Sequence, residues 1–113
     1  MPPNPNDFKN LDIAAYRTQF FQKSAHTLVD VRTLEEYQDG HIPGALHIPL
    51  DELSARLREI PAEKPIVVVC GHGIRSVYGA QIVRYAGFTP VYNLAGGTAA
   101  WENARLPLEK PGT

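Results

Sequence analysis

The residues best able to do chemistry are gathered in one short segment, Cys70-Gly71-His72-Gly73-Ile74-Arg75-Ser76. A thiol is mostly protonated at neutral pH, but a loop of backbone N–H groups ending at a helix N-terminus favours the thiolate and lowers its pKa. Gly71 and Gly73 permit the tight turn that aims successive N–H groups inward, forming a concave anion site. Arg75 adds a permanent charge and a planar fork that suits either an anionic substrate or a neighbouring carboxylate, and the sequence leaves both roles open. His72 reads in two ways, as a pH-responsive donor to a bound anion or as an exposed loop residue. Ser76 closes the segment with a small hydroxyl.

Cys70 is the single cysteine among 113 residues, which excludes an intramolecular disulfide and a Cys-rich zinc site. Taken alone, a free cysteine reads as core filler, because it is among the most buried residue types. The glycines, the arginine and the helix start directly behind it point instead to a nucleophile. His41 reads as part of a turn that needs a structural hydrogen bond, His26 and His47 have no spacing for a metal, and Trp101 reads as core.

Such a loop has to be carried by a strand and a helix. Ile66 to Val69 is apolar and β-branched at every position, as expected of a central parallel strand covered on both faces, and it runs straight into Cys70. A helix is predicted from Ile74 or Arg75 to Ala86, with Ile74, Tyr78, Ile82 and Ala86 aligned at four-residue spacing and Gly87 ending it. Upstream, Phe8 to Leu11 reads as a short strand. Asp12 then caps a helix that carries Ile13, Tyr16 and Phe20 on one face and ends near Lys23.

Leu28 to Val31 is the next strand. Thr33 and Glu36 form a capping box for a short helix, and Glu35, Glu36 and Asp39 otherwise read as a solvated face. After the Gly40, Pro43 and Gly44 turn, Leu46 to Ile48 is a strand and Asp51 caps a helix burying Leu53, Leu57 and Ile60. Pro90 to Leu94 is the last strand, and Thr98 to Asn103 a final helix. Strands alternating with helices define an α/β fold with a mostly parallel five-stranded sheet and helices on both faces. Ligands then bind at the carboxyl ends of the strands, where Cys70 lies.

The rest of the composition narrows the function. A hydrophobic fraction of 43%, 20% charged residues and a net charge of −1 describe a globular chain without the basic footprint of a nucleic-acid binder. The longest aliphatic run, Ile66 to Val69, is far short of the roughly 20 apolar residues needed to cross a bilayer, and no signal peptide is read. The expected location is the cytoplasm, with no membrane partner. The expected organisation is a flexible leader over 1–7, one domain over 8–108 and a polar tail over 109–113.

The 70–76 loop, with cysteine, four intervening residues, arginine and a small hydroxyl, resembles the active-site loop of rhodanese domains. Leu28-Val29-Asp30-Val31-Arg32 with Glu35-Glu36-Tyr37, Gly40-His41-Ile42-Pro43-Gly44-Ala45, and Leu94-Ala95-Gly96-Gly97 with Ala100-Trp101 match as well, so the resemblance spans Phe8 to Leu108. Two positions depart from the pattern: Thr98 stands where the family often has an aromatic residue, and Arg105 where it often has glycine.

The resemblance implies the rhodanese fold and a ping-pong sulfur transfer without cofactor or metal. Cys70 would take sulfane sulfur from a small anionic donor such as thiosulfate, or from a persulfide, and pass it to cyanide or a thiol, a protein thiol included. It also implies that the loop amides from Gly71 to Arg75 surround the persulfide, and that Asp30 and Arg32 brace the site. With no resolving thiol in the chain, the acceptor must be another molecule. Two other readings compete. Phosphatases of related architecture resemble the same pattern but place five residues between cysteine and arginine, against four here. A rhodanese-like module used only for binding would have no need of an intact loop.

Overall fold

The computed structural model describes residues 2–111; Met1 of the expected leader and Gly112 and Thr113 of the expected tail lie outside the described residues. The strands are β1 (Lys9–Leu11), β2 (Thr27–Asp30), β3 (Leu46–His47), β4 (Ile66–Val69) and β5 (Val91–Leu94). They form one sheet in the order β1-β5-β4-β2-β3, with every pair parallel. The helices are α1 (Ile13–Gln19), α2 (Leu34–Asp39), α3 (Leu50–Leu53), α4 (Arg75–Tyr85) and α5 (Gly97–Asn103), with a 3-10 turn at Leu57–Glu59.

β4 occupies the middle of the sheet, and its four residues are all fully buried. Successive strand residues point to opposite faces, so β4 supplies both cores at once. Ile66 and Val68 join Leu53, Ala80 and Val83 on one face, while Val67 and Val69 join Leu11, Tyr16, Phe20 and Trp101 on the other. A polar residue anywhere in this run would be buried without solvent.

The predicted elements form with corrections at their edges, except that the helix expected to bury Leu53, Leu57 and Ile60 is cut to the four residues of α3, with Leu57 in the separate 3-10 turn and Ile60 just beyond it. α1 is capped by Asp12, whose side chain accepts the N–H of Ala15 at 2.7 Å, but it ends at Gln19 and not near Lys23. The N–H groups of Phe20 and Phe21 both bond to the carbonyl of Tyr16, and Gln22 follows with φ 58°. The chain turns there so that Phe20 enters the core and Phe21 packs edge-on against Trp101. Asp51 is not the cap of α3. The N–H groups of Ile48 and Leu50 are still paired to the carbonyls of Asp30 and Val31, so the helix begins directly after Pro49 and Asp51 falls inside its first turn. Leu53 and Ile60 are buried as expected, while Leu57 is only partly covered.

The largest correction concerns α4. Its buried residues are Ser76, Gly79, Ala80, Val83 and Arg84, whereas Ile74 and Tyr78 of the four-residue stripe are 70% and 58% exposed. The helix lies so close to the sheet that a Cβ on Gly79 would come within 2.9 Å of Val68 Cγ1. Small residues therefore face the strands and the large apolar ones are turned outward. Gly87 does end the helix. With φ 102° it donates to the Arg84 carbonyl, and Phe88 donates to that of Val83.

Both ends of the described chain are held. Arg84 Nε and Nη1 donate to the carbonyls of Asp7 and Phe88 at 3.0 and 2.8 Å, and Gln81 Nε2 donates to Asn6 Oδ1 at 2.8 Å. Residues 6 and 7 of the expected leader are thus tied to α4. Glu109, expected in the tail, exchanges backbone hydrogen bonds with His41 in an isolated antiparallel bridge.

Strand order places the site. From β2 the chain moves outward to β3, and from β4 it moves to β5 on the opposite side, so the order reverses between β2 and β4. A crevice opens at the carboxyl ends of strands at such a reversal. Cys70 lies at its lip, one residue beyond β4.

Candidate active site

Cys70 is buried, 1% exposed, with its sulfur turned into the loop that follows. Gly73 N–H donates to Cys70 Sγ at 3.1 Å, and the thiol lies 3.3 Å from Ser76 Oγ. Burial by itself raises the thiol pKa, but the hydroxyl of Ser76 and the backbone N–H groups of Ser76, His72 and Gly73 outweigh it, so the pKa falls below its ordinary value. These hydrogen bonds stabilise the thiolate relative to a cysteine buried without them.

A second helix fixes the loop's polarity. At the start of α5, Thr98 N–H donates to the carbonyl of Cys70 and Ala99 N–H to that of Gly71, both at 2.9 Å. With those carbonyls pulled outward, the next N–H groups can face the sulfur. The approach is close enough to require glycine at position 97, where φ is 59° and a Cβ would fall 2.3 Å from the Cys70 carbonyl oxygen. Thr98 serves through its backbone, so an aromatic side chain is not needed for this contact. Arg105, the other departure, has φ 59° and holds by itself the left-handed conformation that glycine adopts freely.

Arg75 resolves toward the carboxylate of its two alternatives. Its Nη1 and Nη2 donate to Glu36 Oε1 and Oε2 at 2.7 and 2.9 Å, and its Nη2 lies over Gly71. Glu36 meanwhile completes the expected capping box with Thr33. The Arg75 hydrogen bonds, with help from Thr33, pull the Glu36 pKa down to about 2. The His72 side chain is exposed, and Ile74 caps α4 with its side chain in solvent.

Asp30 and Arg32 form a buried pair: Arg32 Nη2 bonds Asp30 Oδ2 and the Gly40 carbonyl, each at 2.8 Å, and Arg32 N–H bonds Asp30 Oδ1 at 3.0 Å. This ties the end of β2 to the turn after α2, a bracing arrangement. His41 bonds the Tyr37 carbonyl through Nδ1 and stacks on the Tyr37 ring, while His47 bonds the Arg32 carbonyl. His26 bonds the Tyr16 hydroxyl, and Trp101 is fully buried with Nε1 donating to the Pro107 carbonyl. Among the described residues, no group of three or more His, Cys, Asp or Glu side chains could hold a metal ion.

Asn93 escaped the sequence reading. Only 3% exposed, it accepts the Ser76 hydroxyl at Oδ1, while its Nδ2 donates to Asn10 Oδ1 at 2.9 Å and to the Gly73 carbonyl at 3.4 Å. It therefore orients both Ser76 and the loop. The available signal was an amide in the middle of Val91–Leu94, a buried strand where a polar side chain needs a partner. Glu36 escaped for another reason, since its role as a cap was sufficient explanation for it.

A cysteine at the end of a central parallel strand, with four residues between it and an arginine at a helix start, marks the fold's site. Residues 14–104 match the family model of the rhodanese-like domain. The chain belongs to the rhodanese-like family. It is 35% identical over 102 residues to the thiosulfate sulfurtransferase GlpE of Vibrio cholerae, covering 90% of this chain and 95% of that protein. Its rhodanese fold superposes on thiosulfate sulfurtransferase from Pseudomonas aeruginosa with a TM-score of 0.81 and 29% identity, over 94% of this chain and 21% of that one. It also matches an NAD-dependent persulfide reductase from A. fulgidus with a TM-score of 0.68 and 40% identity, over 83% of this chain and 16% of that one. No helix among the described residues of this rhodanese-like chain is long and apolar enough to cross a membrane.

Proposed function

We propose that the protein is a sulfurtransferase that moves sulfane sulfur from thiosulfate, or from a persulfide donor, to cyanide or a thiol through a persulfide on Cys70. The observation that carries this reading is the Cys70 sulfur, held 3.1 Å from Gly73 N–H within a loop whose preceding carbonyls are drawn away by α5. The relationship to thiosulfate sulfurtransferase GlpE supports the choice of donor.

In the first half-reaction the Cys70 thiolate attacks the outer sulfur of thiosulfate. The new Sγ–S bond forms as the thiosulfate S–S bond breaks, and sulfite leaves with the electron pair. The persulfide's terminal sulfur carries the negative charge that the loop amides from Gly71 to Arg75 are suited to stabilise. In the second half-reaction cyanide or a thiolate attacks that terminal sulfur, giving thiocyanate or a new persulfide and returning Cys70 to the thiolate. The loop hydrogen bonds that lower the Cys70 thiol pKa raise the share of the thiolate, the form that attacks. Arg75 acts by holding the loop, Asp30 and Arg32 by bracing the end of β2 against the turn after α2, and Ser76 by bonding the sulfur directly. A cytoplasmic location accords with a thiol that must stay reduced.

The test is intact mass after thiosulfate treatment. The expected result is a gain of one sulfur atom that Cys70→Ser abolishes and cyanide removes. No gain, together with turnover of an aryl phosphate, overturns the reading in favour of phosphatase chemistry.

A further inference from the structure

A surface helix normally turns a charged face to water. α4 does not. Of its residues only Arg75 and Arg84 are charged, and Arg75 is held by Glu36 while Arg84 is held by Asp7 and the Phe88 carbonyl. The outward face carries Ile74, Tyr78 and Tyr85, 70%, 58% and 60% exposed, with Ile82 half-buried beside them against the core. At 1.5 Å per residue, Ile74 to Tyr85 makes an apolar stripe roughly 16 Å long.

The stripe borders two clefts. An open groove of ≈ 490 Å³ runs between Tyr78, Ile82 and Tyr85 of α4 and Ser54 and Leu57 beyond α3. A second, of ≈ 340 Å³, lies at the catalytic end and is lined by Val31, Thr33, Pro49, Leu50, Asp51 and Arg75. Positions 75, 78, 82 and 85 recur at helical spacing, so both clefts lie along one side of α4. Contiguous exposed apolar surface of this kind marks an interaction site, and tyrosine is favoured in such sites.

We propose that this face docks a protein that exchanges sulfur with Cys70, one that presents an exposed cysteine flanked by apolar side chains. The inference rests on the sulfurtransferase reading above. Two observations select this occupant. The stripe begins inside the loop itself, at Ile74, so a partner seated on it reaches the mouth of the site. The chain has one cysteine, and that one is buried, so a thiol from outside has to be brought to it. A second copy of this chain is a poorer occupant, because its own Cys70 lies 1% exposed and cannot be presented.

In the transfer, the partner's thiolate attacks the terminal sulfur of the Cys70 persulfide. A new S–S bond forms on the partner, the Sγ–S bond of Cys70 breaks, and the electron pair returns to Sγ. The partner's thiol proton goes to solvent, and no external oxidant or reductant is consumed. Docking lowers the KM for the thiol and leaves discharge to cyanide untouched.

The probe is a short reduced cysteine peptide with leucine and phenylalanine flanks, compared with the same peptide carrying serine flanks and with cyanide. Thiosulfate-loaded protein should discharge to the apolar peptide with a KM lower by about tenfold, the gain from burying an apolar side chain or two. Tyr78→Lys and Tyr85→Lys, both on exposed positions, should remove that preference while cyanide discharge stays at the wild-type rate. Equal KM values for the two peptides, or a preference that survives both substitutions, overturn the docking proposal alone. A concentration-dependent dimer that Tyr78→Lys dissolves overturns it in favour of self-association. Failure of Cys70 to load sulfur at all removes the sulfurtransferase reading and this proposal with it.

Discussion

Arg75 and Glu36, 39 positions apart, meet through two hydrogen bonds of 2.7 and 2.9 Å and clamp α2 to the first turn of α4 across the crevice where Cys70 lies. The clamp joins the two sides of the sheet's reversal point, and its guanidinium covers Gly71. One carboxylate therefore caps a helix and holds the cysteine loop.

Glu36→Gln removes the charge from both tasks. Because both side chains are more than a third exposed, the expected loss is about 1 kcal/mol near neutrality, in the range of a helix cap or a modest surface ion pair. Glu36 has its pKa lowered from 4.5 to about 2, so its contribution is complete above 4.5 and lost as pH falls toward 2. Urea midpoints of wild type and variant should accordingly converge over that interval. A gap that stays constant down to its lower end would show that the charge is not what stabilises.

The Cys70 thiol should alkylate as a group more acidic than an ordinary cysteine. In Ser76→Ala the hydroxyl that can turn from Asn93 Oδ1 to donate to the Cys70 thiolate is lost, the pKa rises, and the iodoacetamide rate profile moves to higher pH, with slower reaction near neutrality. Sulfur loading from thiosulfate should slow in parallel. An unmoved profile would assign the acidity to the backbone N–H groups of His72, Gly73 and Ser76 alone.

Gly97→Ala introduces a Cβ 2.3 Å from the Cys70 carbonyl oxygen at a residue with φ 59°, so either α5 or the loop has to give way. A loss of about 3 kcal/mol or more is expected, with sulfur loading reduced along with it. Gly44→Ala separates the two causes, since Gly44 also has positive φ, 84°, but open space around its Cβ position. It should cost about 1 kcal/mol, from backbone strain only, and load sulfur normally. Thermal denaturation and the mass gain with thiosulfate measure both variants.

Much of this molecule is determined by local pattern. The β-branched Ile66 to Val69, the Thr33 and Glu36 box, Asp12 as a cap and Gly87 as a helix end each have their cause within a few residues, so the alternating α/β order and the Cys70 loop are legible in the chain itself. Tertiary packing decided the rest. The close approach of Gly79 to Val68 selects which face of α4 is buried, and it turns Ile74 and Tyr78 outward against their own periodicity. The pairing of Arg75 with Glu36, the burial of Asn93 against Ser76, and the contact of Gly97 with Cys70 join residues from different strand and helix units, whose meeting depends on sheet order and has no signature in sequence spacing. The nucleophile is local in origin because a glycine-rich turn and a helix start lie next to it in the chain, whereas the shape and tension of its loop come from groups that only the folded sheet brings within hydrogen-bonding distance.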